Sequence, residues 1–166
     1  MGSNACEKPI GSEHLGALRK IIDRLRDCSV NWALTGSCSF AVQGLPVRPN
    51  DIDIQTDRNG AYEIERVFSK DMSERVRFLE SGKIRSHFGV MIIDGIRVEI
   101  MGDIEKRDCN GEWGESVELN RYKKFVTYEG MEVPVLSLEY EYEAYKALGR
   151  LDRAEVLKKW LSRRPK

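Results

Sequence analysis

Leu15, Leu18, Ile21, Ile22 and Leu25 recur at helical spacing behind Ser12, a residue type that caps helices well, and predict an amphipathic helix over residues 12–27. Val30 to Thr35 is short, apolar and closed by Gly36, the pattern of a buried strand. Small and apolar residues from Ser37 to Gln43, held between Gly36 and Gly44, predict a short helix. Pro46 and Pro49 then force an extended connection into Asp51-Ile52-Asp53-Ile54, whose polar and apolar positions alternate as in a strand. Helical spacing returns over residues 60–69 through Tyr62, Ile64, Val67 and Phe68.

Beyond Lys83 the chain is β-like. Val90 to Ile93, the dipeptide Asp94-Gly95 and Ile96 to Ile100 carry the clearest hairpin signal in the chain. Residues 103–121, with Asn110-Gly111 and Gly114, read as a loop, and Lys124–Tyr128 with Met131–Val135 predict a second hairpin around Glu129-Gly130. Ser137 then caps a helix that carries Ala144, Leu148 and Leu151. Asp152 with Glu155 resembles a capping box opening a last helix through Leu157, Trp160 and Leu161, stopped by Pro165. The order predicts one α/β (α+β) domain over residues 12–166, a mixed sheet flanked by helices and closed by C-terminal helices, behind an N-terminal extension of residues 1–11.

Charge narrows the function classes. In this chain of 166 residues, 27 Lys and Arg balance 27 Asp and Glu. A general coater of nucleic acid needs uncompensated cations to displace phosphate counterions, and an acidic disordered chain lacks the 41% apolar residues present here. No apolar run has the length of a spanning helix and Met1 to Ile10 has no signal-peptide pattern, which predicts a cytoplasmic protein without a membrane partner. Cys6, Cys28, Cys38 and Cys109 lie far apart, as in reduced structural thiols.

Candidate chemistry rests on three pieces. Gly36-Ser37 sits at a strand-to-helix turn, thirteen residues separate it from Asp51-Ile52-Asp53, and Glu99 lies inside the apolar strand Val98-Glu99-Ile100. Strand alternation aims Asp51 and Asp53 the same way, and two adjacent carboxylates repel unless a cation lies between them. A third carboxylate on a neighbouring strand completes a hard oxygen set suited to Mg²⁺ and substrate phosphates. A glycine turn lets backbone N–H groups approach phosphate. Taken singly, each piece is also an ordinary surface pattern: a solvated Asp-x-Asp, a plain turn, an outward residue of an alternating strand. Jointly they describe a nucleoside triphosphate held between a phosphate cradle and two metal ions, hence nucleotidyl transfer to a hydroxyl.

These residues resemble the three motifs of the DNA polymerase β-type nucleotidyltransferase superfamily, especially its minimal single-domain members: Thr35-Gly36-Ser37, Asp51-Ile52-Asp53-Ile54 and Val98-Glu99-Ile100. Arg48-Pro49-Asn50 and Val133-Pro134-Val135-Leu136-Ser137, followed by the terminal helices, are similar to lincosamide-type nucleotidyltransferases and small thermophile relatives, over roughly residues 12–162. The resemblance implies that Asp51 and Asp53 bind two Mg²⁺ ions (Mn²⁺ being an alternative), that Glu99 binds the catalytic ion and helps deprotonate the acceptor, and that Gly36 and Ser37 hold the β- and γ-phosphates. Glu99 stands where many members carry Asp. Lys146, on the helix after Ser137, and Arg48 are the further candidate phosphate contacts. Tyr140, Tyr142 and Tyr145 are expected in the core or an interface.

The acceptor can be a small molecule, a protein or RNA, with a small pocket between residues 103–121 and the terminal helices the preferred seat. A second reading is a nucleotide-binding module, half of a toxin–antitoxin-like pair with a helical protein partner. Residues 151–166 hold six basic and two acidic side chains, a basic end that fits either solvent or RNA.

Overall fold

A computed structural model of the chain describes residues 10–163; most of the predicted extension, Cys6 and the helix stop at Pro165 lie outside the described residues. Seven strands form one mixed sheet: β1 (Trp32–Thr35), β2 (Ile52–Thr56), β3 (Met72–Glu80), β4 (Ile84–Ile93), β5 (Ile96–Lys106), β6 (Lys123–Tyr128) and β7 (Met131–Leu136). Their spatial order is β3-β4-β5-β2-β1-β7-β6. The helices are α1 (Ser12–Leu25), α2 (Gly36–Val42), α3 (Arg58–Val67), α4 (Leu119–Tyr122), α5 (Leu138–Ala147) and α6 (Leu151–Arg163).

Alternation divides the sheet into two faces. Leu34, Ile52, Ile54, Val98 and Ile100 point to the side where α1 buries Leu18, Ile21 and Leu25 and α3 buries Ala61 and Ile64. Thr35, Asp53, Gln55 and Glu99 point to the opposite side, which α5 and α6 cover only in part. That half-covered face is where the polar residues of the central strands gather.

Several local expectations change. Gly11 rather than Ser12 is the N-cap of α1, and α6 already starts at Leu151, placing Asp152 inside its first turn. Ser137 does cap α5, its hydroxyl accepting from the Tyr140 N–H at 3.2 Å. Asp51 stands just ahead of β2 rather than in it. Strand β3 has no apolar alternation to announce it: it is a sheet edge on which Val76 is the buried side chain.

Residues 103–121 are ordered rather than a plain loop. β5 runs on to Lys106, Arg107 bridges to Trp113, and the Trp113 ring is held between the Arg85 and Arg107 guanidiniums, each 4.5 Å from its centroid. The Val117 N–H reaches the Ile104 carbonyl at 3.2 Å, and α4 follows. Within β5 one residue is extra. Arg85 pairs with Glu105 and His87 with Gly102, so Ser86 alone on β4 stands opposite Asp103 and Ile104 on β5, and Asp103 takes φ 50°. This bulge exchanges the faces of the residues beyond it: Glu99 and Met101 line the open face before it, Ile104 and Lys106 after it.

Candidate active site

Three neighbouring strands bring the site together by register. Thr35 of β1 is paired with Asp53 of β2, and Asp53 with Glu99 of β5, so the three side chains stand in one row across the sheet. Gly36 follows Thr35 at φ 71°, a left-handed value that a side chain opposes. A Cβ at Gly36 stands only 2.6 Å from the Asp53 Oδ2, so glycine is required both for the turn and for the close approach of Asp53. Gly36 is itself the first residue of α2, and Ser37 is the second.

The carboxylates are under electrostatic pressure. Burial, with Glu99, Asp51 and Glu141 around it, pushes the Asp53 carboxyl up to about 7. The nearby cation is Arg97, two residues before Glu99 on the same strand face. Its guanidinium donates to the Glu99 Oε1 at 3.1 Å and lies 3.9 Å from Asp51. Among the described residues no group of three or more His, Cys, Asp or Glu side chains is already gathered as a metal cage. Arg97 spans Asp51 and Glu99, while Asp53 sits deeper and close to Glu99. In chemical kind, three hard carboxylates with too little protein cation around them fit divalent magnesium or manganese.

Glu141 is the member of the site that the sequence did not disclose. It is 4% exposed, accepts from the Thr35 hydroxyl, and takes the Gly36 N–H at 3.3 Å. Burial pushes its carboxyl up to about 7 against the opposing pull of Thr35, Gly36 and Lys106. The N–H expected to reach phosphate at Gly36 is therefore directed inward. In sequence Glu139-Tyr140-Glu141-Tyr142 alternates as a strand does, though the apolar spacing that follows makes it helical. Yet Leu138, Glu141 and Tyr145 fall at i, i+3 and i+7, the buried stripe of α5.

The same stripe decides Lys146. One residue past Tyr145 it is rotated about 100° from the buried side, so it lies on the exposed face, 3.8 Å from Glu143 and over the Tyr142 ring. Neither Lys146 nor the exposed Arg48 lines the cavity. The basic residues that do are Lys106, Arg150 and Arg153. Tyr140 and Tyr145 are buried as expected, Tyr145 on the cavity wall. His87 lies elsewhere, with its Nδ1 3.0 Å from the Tyr62 hydroxyl. Cys38 is buried behind Gly36-Ser37, its thiol pushed up to about 12 by burial and Asp53.

Gly36, Ser37, Asp51, Asp53 and Glu99 thus open onto one cavity of about 530 Å³, a volume within the ~300–1,000 Å³ range of small-ligand sites. It continues past Gln55 and Met101 to Ile84, Lys106, Leu148 and Arg150. No helix among the described residues is long and apolar enough to cross a membrane.

Against known proteins, the profile of the family described as aminoglycoside-2''-adenylyltransferase matches residues 17–158. The crystal structure of TM1012 from Thermotoga maritima, described as a candidate nucleotidyltransferase, is 59% identical, with a TM-score of 0.83 over 97% of this chain and 100% of that one. Lincomycin-bound LnuA, a lincosamide antibiotic adenylyltransferase, is 19% identical with a TM-score of 0.58 over 86% of this chain and 95% of its own, a likeness of fold. No curated protein matches the chain.

Proposed function

The chain belongs to the aminoglycoside-2''-adenylyltransferase family of nucleotidyltransferases, and from that premise we propose that it moves a nucleoside monophosphate from a triphosphate to the hydroxyl of an acceptor, using the row Asp51, Asp53 and Glu99. The single observation that carries this reading is the register of β1, β2 and β5, which sets the Gly36 turn, Asp53 and Glu99 side by side at one cavity mouth.

In this reading Gly36 and Ser37 seat the β- and γ-phosphates. Because the Gly36 N–H is turned toward Glu141, the glycine's contribution is close approach, and Ser37 offers its hydroxyl and N–H. Asp51 and Asp53 would hold both divalent ions, and Glu99 the one nearer the acceptor. Bound there, the ions supply charge neutralisation for the triphosphate and acidify the acceptor hydroxyl. Glu99 then stands beside the hydroxyl as the group able to take its proton. The acceptor oxygen bonds to the α-phosphorus, the bridging bond to the β-phosphate breaks, and its electron pair leaves with pyrophosphate. Arg97, which spans Glu99 and Asp51, would have to give up these contacts to ions held there, and its guanidinium would then be available to phosphate.

The test is nucleotide binding by calorimetry with and without Mg²⁺ or Mn²⁺, followed by pyrophosphate release with labelled triphosphates and candidate acceptors. Metal-dependent nucleotide binding and acceptor-dependent release are expected. Absence of both overturns the enzyme reading.

A further inference from the structure

The cavity is electrically polarised. At one end stand Asp51, Asp53 and Glu99; at the other are Lys106 and Arg150, with Arg153 on the α6 wall. Several other cations of this neutral chain are paired: Lys20 with Asp94 at 2.8 Å, Arg24 with Asp71 at 3.0 Å, Arg26 with Asp23 at 2.8 Å, and Arg85 with Glu105. Among the described residues Lys106, Arg150 and Arg153 form no ion pair with a carboxylate. Lys106 donates to the Tyr140 hydroxyl at 3.0 Å, and its nearest acidic neighbour on the cavity wall, Glu141, is already engaged by the Thr35 hydroxyl and the Gly36 N–H.

Lys106 faces the cavity because of the bulge at Asp103. Plain alternation from Glu99 and Met101 presents Glu105 to the cavity, whereas the extra residue turns Glu105 outward to Arg85 and brings Ile104 and Lys106 in. An acidic wall is thereby exchanged for a basic one. Ile84, which pairs with Lys106, and the Tyr140 ring, 5.1 Å from its ammonium, make the surroundings of Lys106 apolar, and a charge in such a setting attracts an opposite charge more strongly than in water.

Resting on the transfer reading above, we infer that the acceptor seated at this end is a hydroxylated small molecule carrying one anionic group, a carboxylate or a phosphate ester, which Lys106 and Arg150 recognise. The anionic group is unchanged in the reaction. It holds the acceptor by its far end while its hydroxyl, at the carboxylate end, gives up its proton and takes the α-phosphoryl group. A polycationic amino sugar meets like charge at this end.

The experiment uses the full chain saturated with Mg²⁺ and α,β-methylene-ATP, which fills the triphosphate seat, and titrates in 4-hydroxybenzoate, glucose 6-phosphate, glucose and kanamycin by calorimetry. At least one of the two anions is expected to bind tenfold or more tightly than glucose, and kanamycin not to bind. Lys106→Met should bring that anion within threefold of glucose while leaving α,β-methylene-ATP affinity within threefold. If Lys106→Met fails to fold, Arg150→Gln, at an exposed position, should cut the preference at least threefold. No preference for either anion, tighter binding of kanamycin, or a preference that survives substitution overturns the inference. A parallel titration without nucleotide separates the two readings: loss of nucleotide binding by the wild type sinks the transfer reading alone, and a Lys106-dependent anion preference still stands.

Discussion

The regions around Asp53 and Glu141 are adjacent parts of one cavity wall, and burial pushes both carboxyls up to about 7. Their surroundings differ. Glu141 is met by donors, the Thr35 hydroxyl and the Gly36 N–H, with the Lys106 ammonium nearby. Asp53 is met by carboxylates, Glu99, Asp51 and Glu141 itself. The same elevated value therefore marks a completed structural contact in one place and, in the other, a site lacking positive charge. A perturbed carboxyl indicates chemistry only once its neighbours are named.

The comparison breaks most sharply under amide substitution. Asp51→Asn with Asp53→Asn should abolish Mg²⁺ binding and lower transfer by roughly 10³-fold or more, with a melting temperature equal to or above the wild type because like-charge repulsion is relieved. Pyrophosphate release and scanning calorimetry on one preparation read both effects. A folded double variant that still binds Mg²⁺ refutes the assignment. Glu141→Leu should do the reverse, costing about 2 kcal/mol of stability because buried donors on Thr35 and Gly36 lose their acceptor. Glu141→Gln, which keeps an acceptor oxygen, should stay within about 1 kcal/mol by urea denaturation. Equal losses for Leu and Gln would show that the carboxyl oxygen does not support the Gly36 turn.

Legibility followed the same divide. The β4–β5 hairpin could be read from Asp94-Gly95, whose φ values of 51° and 82° suit that dipeptide, and the carboxylate row from Asp51, Asp53 and Glu99 because strand alternation needs no tertiary knowledge. Edge strand β3 could not, since an edge whose one buried side chain is Val76 has no apolar face to periodise. Glu141 carried a signal, its place on the Leu138–Tyr145 stripe, but a glutamate between two tyrosines in a capped first turn reads first as solvent-facing. Lys106 carried none, because the bulge at Asp103 breaks the alternation that would otherwise locate it. Local periodicity thus found the groups fixed by strand geometry and missed those placed by helix docking or an inserted residue.

Acidity sharpens the contrast further. Glu141 ionises near 4.5 when unconstrained and about 7 in the fold. Between those values the folded protein keeps a proton that the unfolded chain has lost, so this group's stabilisation is complete below about pH 4.5 and disappears as pH rises through about 7. Urea denaturation of the wild type at pH 5 and pH 8, in the absence of divalent metal, should show the higher stability at pH 5. Glu141→Gln should lessen that slope, Asp53 supplying the remainder, and an unchanged slope contradicts burial as the cause. Mg²⁺ added at pH 8 should stabilise both the wild type and Glu141→Gln, and leave Asp53→Asn unaffected.

The smallest effect belongs to Arg97, the cation that stands nearest the carboxylate row. Its side chain is 42% exposed and its partners Asp51 and Glu99 are 41% and 27% exposed, so solvent screens these pairs and each contributes at most about 1 kcal/mol to stability. Arg97→Gln should accordingly leave the melting temperature nearly unchanged. Its consequence is for the metal: with the guanidinium removed, an entering ion no longer competes for Glu99 and Asp51, and Mg²⁺ affinity without nucleotide should rise about two- to fivefold, since a tenfold change corresponds to only 1.4 kcal/mol. With a triphosphate present the sign should invert, because the freed guanidinium beside the phosphates is lost, and nucleotide binding should weaken by a similar factor. Calorimetric titration of metal alone and of nucleotide in excess metal distinguishes these outcomes. A variant in which both affinities fall together would place Arg97 among the groups that build the site rather than those that vacate it.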